Sequence, residues 1–143
     1  MTQPSKPAPT ILCPSATEIR PGARVFGVLT GSAADGFHVG YLTEALPATP
    51  ELLAAAAPAK PTEVYRAAVP CAEGRCRHWD GANCSLAARV ASMLDPAVSA
   101  LPRCAIRPVC RWFRQEGREA CLRCPQVATQ LRNPSELQIE VAG

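Results

Sequence analysis

Seven of the eight cysteines fall between residues 71 and 124, and no other feature restricts the fold as much. Their layout is Cys71-x4-Cys76-x7-Cys84, then Cys104-x5-Cys110-x10-Cys121-x2-Cys124. Thiols at this density end as disulfides, as metal ligands or as reactive groups, and each outcome pins the backbone differently.

Compartment weighs against disulfides. The opening MTQPSKPAPT is polar and proline-rich and lacks the apolar run of a signal peptide. No hydrophobic stretch precedes Cys13, which argues against a lipoprotein signal. The longest apolar run, Leu52 to Ala59, is far short of the ~20 residues that span a bilayer. The expected location is the cytoplasm, where paired disulfides rarely persist. At 143 residues the chain can bury a core without cross-links.

Charge is unevenly spread. Residues 1–70 balance five basic groups against five acidic ones, whereas residues 71–132 carry ten arginines, five acids and no lysine. Such a bias suits a polyanion, an acidic protein partner, or the neutralisation of clustered thiolates. The arginines interleave with the cysteines and form no separate stripe, which favours the last of these.

The expected fold class is α+β: a small antiparallel sheet in the N-terminal half, then a helical, cysteine-rich metal-binding half. Residues 1–10 read as a disordered tail and 11–70 as a β-rich part. Residues 71–132 form the cysteine-rich region, and 133–143 a tail or edge strand. Arg24 to Leu29 and Phe37 to Leu42 are β-prone, with a turn over 31–36. Thr49-Pro50-Glu51 predicts a helix start, with the helix over 52–57 ended by Pro58. Residues 62–69 read as a third strand. Ser85 to Leu94 carries helical periodicity, a short helix is expected over 97–101, and another over 112–120 weakened by Gly117. The alternation Leu137-Gln138-Ile139-Glu140-Val141 predicts the edge strand.

The cysteine region contains a loose internal repeat. Each half has two cysteines separated by four or five residues, then an arginine and a tryptophan, a glycine and a third cysteine. Soft thiolates select zinc, copper(I) or iron–sulfur clusters. Cys104, Cys110, Cys121 and Cys124 form a complete four-thiolate set, and Cys124-Pro125 matches the cysteine–proline ending of bacterial ferredoxin runs. Cys71, Cys76 and Cys84 lack a fourth member. His78 could supply it, as could Cys13, also followed by proline, which would divide the cysteines into two fours; one site drawing on both halves fits equally well. Cys13 is nevertheless expected to pack as a small hydrophobe. His78 reads as a hydrogen-bonded structural residue, and His38 as a surface one.

Zinc is the main rival, although zinc modules usually show two close cysteine pairs and only Cys121/Cys124 is one here. A dithiol redox site at that pair lacks a βαβ context. Asp80 and Glu116 could carry protons, but a solvated or ion-paired surface role is simpler. There is no G-x-S-x-G, H-E-x-x-H, P-loop or G-x-G-x-x-G motif.

The segments CAEGRCRHWDGANC and CAIRPVCRWFRQEGREACLRCPQV, with VFGVLTG and PATPELL, resemble a group of small uncharacterised bacterial proteins, some loosely labelled "nitrogen fixation protein". The likeness covers most of the chain from Cys13 to Thr129. It implies no defined reaction, but favours a cytosolic iron–sulfur or electron-transfer role over a zinc-stabilised module.

The expected function is therefore a small iron–sulfur protein in electron transfer or redox sensing, an accessory protein or electron carrier more than an enzyme. One or two [4Fe–4S] clusters are expected, with zinc as the alternative cofactor. The expected ligands are Cys104, Cys110, Cys121 and Cys124, then Cys71, Cys76 and Cys84. The expected partner is a redox enzyme or acidic protein, with nucleic acid less favoured and no membrane. The alternative is a zinc-stapled, arginine-rich module that binds protein or nucleic acid.

Overall fold

Residues 24–47, rich in β-branched and aromatic side chains, form a long hairpin. In the computed structural model, which describes residues 9–32, 36–131 and 133–143, its strands are β2 (Arg24–Ser32) and β3 (Gly36–Pro47). Part of the turn expected over 31–36, and most of the tail expected over 1–10, lie outside the described residues. β1 (Leu12–Cys13) and β4 (Tyr65–Pro70) complete a sheet of order β1-β4-β2-β3 in which every pair is antiparallel.

The centre of the sheet, in β2 and β4, is buried on both faces, and apart from Arg66 the buried residues there are apolar on both sides of the pleat. On one face Val25, Tyr65 and Ala67 pack with Ala16, Ile19, Ala48 and Ala56. On the other Phe26 and Ala68 pack with Leu12, Ala87, Val90, Ile106 and Trp112. A register shift between Val25 and Gly27, in both pairings of β2, accompanies this two-sided burial. The helices of the cysteine-rich half cover the second face, and the fold is the α+β arrangement the sequence suggests.

Helix α1 spans Pro50–Ala54, with Thr49 accepting from the Leu52 N–H at 3.2 Å. It starts earlier and ends earlier than the expected 52–57. The strand expected over 62–69 begins only at Tyr65, because Pro61 starts the short helix α2 (Pro61–Val64). Helix α3 is Ser85–Met93, as its periodicity indicates. No helix forms over 97–101. The Ala97 and Val98 N–H groups donate to Leu122 O instead, tying this segment to its neighbour. The helix expected over 112–120 is two helices, α4 (Arg111–Glu116) and α5 (Arg118–Arg123), broken at Gly117 with φ 69° and ψ −148°.

The expected C-terminal edge strand is a helix, α6 (Glu136–Ala142). Ser135 and Gln138 make a reciprocal capping box, at 3.1 and 2.7 Å, which nucleates the helix despite the alternating pattern. Arg89 on α3 fixes its far end, donating from Nε to Val141 O at 2.7 Å. Among the described residues no helix is long and apolar enough to cross a membrane.

Candidate metal centre

All eight cysteines are free, and they sort into two groups of four. Cys13, Cys71, Cys76 and Cys84 line a wide cavity of about 560 Å³. Cys104, Cys110, Cys121 and Cys124 line a separate narrow cavity of about 20 Å³, the size that holds a single water.

The open quartet draws on distant parts of the chain. β1 pairs with β4 so that Cys13 faces Val69, and Cys71 N–H donates to Ile11 O at 2.9 Å. A 3-10 turn, Glu73–Arg75, carries the chain to Cys76. Cys84 caps α3, its sulfur accepting from Ala87 N–H at 3.4 Å. Gln115 on α4 clamps the Cys84 backbone from both sides, accepting its N–H at 2.7 Å and donating to its carbonyl at 2.8 Å.

The enclosed quartet is local. A second 3-10 turn, Arg107–Val109, separates Cys104 from Cys110, so the sequence repeat has a counterpart in the turn between the first two cysteines of each half. Cys110 precedes α4, Cys121 lies in α5, and Cys124 follows it into a turn completed by Pro125.

Burial favours the protonated form of Cys13, Cys84, Cys104, Cys110 and Cys121. Burial pushes Cys13 up to about 11, with Cys71, Cys84 and Cys76 adding to the rise against the Ser15 N–H. Burial likewise pushes Cys110 up to about 12, with Cys124 and Cys104 contributing against the Phe113 and Trp112 N–H groups. Cys84, Cys104 and Cys121 are raised chiefly by burial; the Arg107 guanidinium beside Cys121 pulls that thiol back. Burial, with the Cys124 thiol beside it, raises the pKa of the Tyr41 phenol and keeps it protonated.

The walls carry donors with nothing to donate to. Among the described residues, the buried side-chain nitrogens and oxygens without a partner are Arg107 Nε, Arg111 Nε and Trp112 Nε1. All three are N–H donors. Arg107 lines the enclosed cavity, Arg111 the open one, and Trp112 both. Unpaired buried donors are uncommon and call for an acceptor.

A buried cation stands behind them. Arg66 is fully buried. It donates to Pro14 O at 3.2 and 3.0 Å, to Cys124 O at 3.2 Å and to Val127 O at 2.7 Å. Its guanidinium lies over Phe26 and Trp112 at 5.3 and 5.5 Å. The ion pairs described, Arg20–Glu18, Arg111–Glu73 and Arg123–Glu119, do not include it. An unpaired buried charge is costly, so negative charge nearby is stabilising.

No family model, curated protein or solved structure matches the chain.

The structure thus groups the seven cysteines singled out from the sequence as four and three, and adds Cys13 to the three. Cys13 lines the open cavity with them. His78 lines the open cavity, but Arg89 Nη2 contacts its Nδ1 at 3.1 Å. A guanidinium only donates, so that lone pair is taken; burial, Arg77 and Arg89 lower the pKa of the ring and keep it neutral. His38 is exposed on β3. Asp80 caps a turn, accepting from Ala82 and Asn83 N–H at 2.9 and 2.7 Å, which lowers its pKa. Tyr41, Arg66 and Gln115 carry no signal in the sequence that singles them out.

Among the described residues, no three His, Cys, Asp or Glu side chains converge closely enough to hold one metal ion. A cluster of four irons binds its thiolates at four separate corners and does not require that convergence. The void between free sulfurs also understates what they can hold. A metal–thiolate bond of ~2.3 Å is much shorter than a van der Waals contact of ~3.5–4 Å.

Proposed function

We propose that the chain is a small iron–sulfur protein of electron transfer, with a [4Fe–4S] cluster at each cysteine quartet. The observation that carries this reading is the sorting of eight thiols into two fours whose shared surroundings contain the orphan donors and an unpaired buried guanidinium. A neutral wall leaves these groups unexplained. A thiolate cluster supplies both acceptor sulfurs and negative charge, and hydrogen bonds to its sulfurs tune its potential. Cys13 completes the open site. Arg107 and Tyr41 line the enclosed site beside its cysteines, and Arg66 offsets charge from behind it. A cytosolic location and the resemblance to small bacterial cysteine-rich proteins, both expectations from the sequence, fit this role.

The test is anaerobic purification followed by iron, acid-labile sulfide and zinc analysis, with a visible absorption spectrum. The expected result is brown protein with about eight iron and eight sulfide per chain. Colourless protein with stoichiometric zinc would overturn the reading in favour of a zinc-stapled, arginine-rich binding module.

A further inference from the structure

The two cysteine quartets border cavities of very different size. About 20 Å³ lies beside Cys104, Cys110, Cys121 and Cys124, and about 560 Å³ beside Cys13, Cys71, Cys76 and Cys84. The same number of thiols closes around far less space at the first site, so a quartet does not account for the volume at the second. That volume falls in the ~300–1,000 Å³ range of small-molecule sites. Much of its wall is apolar: Val69 from β4, Leu86 and Val90 from α3, Leu94 just after it, and Ile139 and Val141 from α6. Val90 and Val141 are buried and Ile139 is exposed, so this wall runs from the core to the surface.

Several polar side chains of the wall already have partners. Gln130 accepts from Thr62 Oγ1 at 2.6 Å, Gln138 accepts from the Ser135 N–H at 2.7 Å, and His78 Nδ1 contacts Arg89 Nη2 at 3.1 Å. The wall cations keep capacity. Arg77 donates from Nη1 to Gly143 O at 3.1 Å and belongs to none of the ion pairs among the described residues. Arg111 reaches Glu73 through Nη2 at 3.0 Å and lies over the Trp79 ring at 5.1 Å, and its buried Nε–H has no acceptor. A guanidinium fork matches the two oxygens of a carboxylate. Among the described residues, no Asp or Glu lines the cavity to take that place.

We propose that the large cavity is a binding site for a small amphipathic carboxylate, its anionic head on Arg111 and Arg77 and its apolar body against the side chains of α3 and α6. The proposal goes beyond the iron–sulfur reading and does not depend on it. It stands on the size of the cavity, its apolar wall and its two guanidinium groups.

The test is isothermal titration calorimetry on the purified protein, with its metal content measured on the same sample. The probes are octanoate, 4-phenylbutyrate and indole-3-acetate, each beside its neutral primary amide. At least one carboxylate is expected to bind one-to-one with a Kd below ~1 mM, and its amide about tenfold more weakly. Arg111→Gln is expected to weaken the carboxylate about tenfold and to leave the amide unchanged, with a smaller loss for the exposed Arg77→Gln. Ile139→Trp fills the cavity from an exposed position and is expected to weaken acid and amide alike. The site is overturned if no carboxylate binds below ~1 mM, if the amides bind as well as the acids, or if binding survives both Arg111→Gln and Ile139→Trp. If Arg111→Gln fails to fold, the amides and Ile139→Trp still decide. About eight iron without carboxylate binding overturns this site alone, and carboxylate binding to a zinc-loaded protein overturns the iron–sulfur reading alone.

Discussion

Arg66→Met is the most informative single change. Methionine keeps the aliphatic stem and removes every donor and the charge. Three carbonyls, Pro14 O, Cys124 O and Val127 O, lose a guanidinium partner, and two aromatic faces lose a cation. A buried acceptor left without a donor costs ~1–3 kcal/mol, and a desolvated cation–π contact is worth ~1–2 kcal/mol. Relieving an uncompensated buried charge works the other way and returns several kcal/mol at most. In metal-free protein the two effects largely offset. In metal-loaded protein negative clusters would already compensate the charge, so little is returned; Cys124 O keeps the Val127 N–H, so two orphaned carbonyls and two lost cation–π contacts make the loss ~4–10 kcal/mol, a large share of the ~5–15 kcal/mol that holds a domain together. Anaerobic urea unfolding of both forms measures this, with Arg66→Lys as control. The lysine variant keeps the charge but not the planar fork, and is expected to fall between the other two when metal is bound. A loss under ~1 kcal/mol for Arg66→Met in the metal-loaded protein would refute the electrostatic argument. So would equal losses with and without metal.

Other expectations follow from the same geometry. Cys13→Ala is expected to halve the bound iron while leaving the enclosed site filled, as metal analysis would show; a full complement would remove Cys13 from the open quartet. Metal-free protein is expected to lose stability as pH rises. The thiols of Cys13 and Cys110 titrate near 9.0 when exposed but are raised to about 11 and about 12 in the fold, so their contribution is intact below pH 9 and is lost on passing through those higher values. Denaturation midpoints across that range would show it, and a flat profile would contradict it. Gly117→Ala is expected to cost ~1–3 kcal/mol, because its φ and ψ suit only glycine although open space surrounds a Cβ there; thermal unfolding measures this. Ser135→Ala is expected to cost ~1 kcal/mol and to expose α6 to faster amide exchange than α3.

Local signals were readable in the sequence, and long-range ones were not. Thr49-Pro50-Glu51 marks a helix start in any context, and the Thr49 cap is where those residues put it. The hairpin of β2 and β3 follows from β-prone runs separated by a short link. The C-terminal helix shows two local signals in conflict. Leu137 to Val141 alternates like a strand, yet Ser135 and Gln138 cap a helix, and the cap prevails. The enclosed quartet lies within one short stretch, so spacing alone suggested it. Cys13 is a different case. Its place depends on β1 pairing with β4 across the sheet, and no spacing rule spans that distance. Arg66 was hidden because a charged residue in an alternating strand reads as solvent-facing, whereas β4 is buried on both faces from Tyr65 to Ala68.

The pairing of β1 with β4, which brings Cys13 and Cys71 to the same edge of the sheet, also bears on how the chain holds together. Any centre that grips both residues closes a loop of roughly 60 residues containing the whole hairpin and both N-terminal helices. A cross-link of that span, treated as chain entropy alone, stabilises the folded chain by on the order of 4 kcal/mol. A centre held by both residues would therefore do the structural work of a disulfide without oxidising a single thiol. Its loss would loosen the sheet at its β1 edge while leaving the locally knotted enclosed quartet to come apart on its own terms.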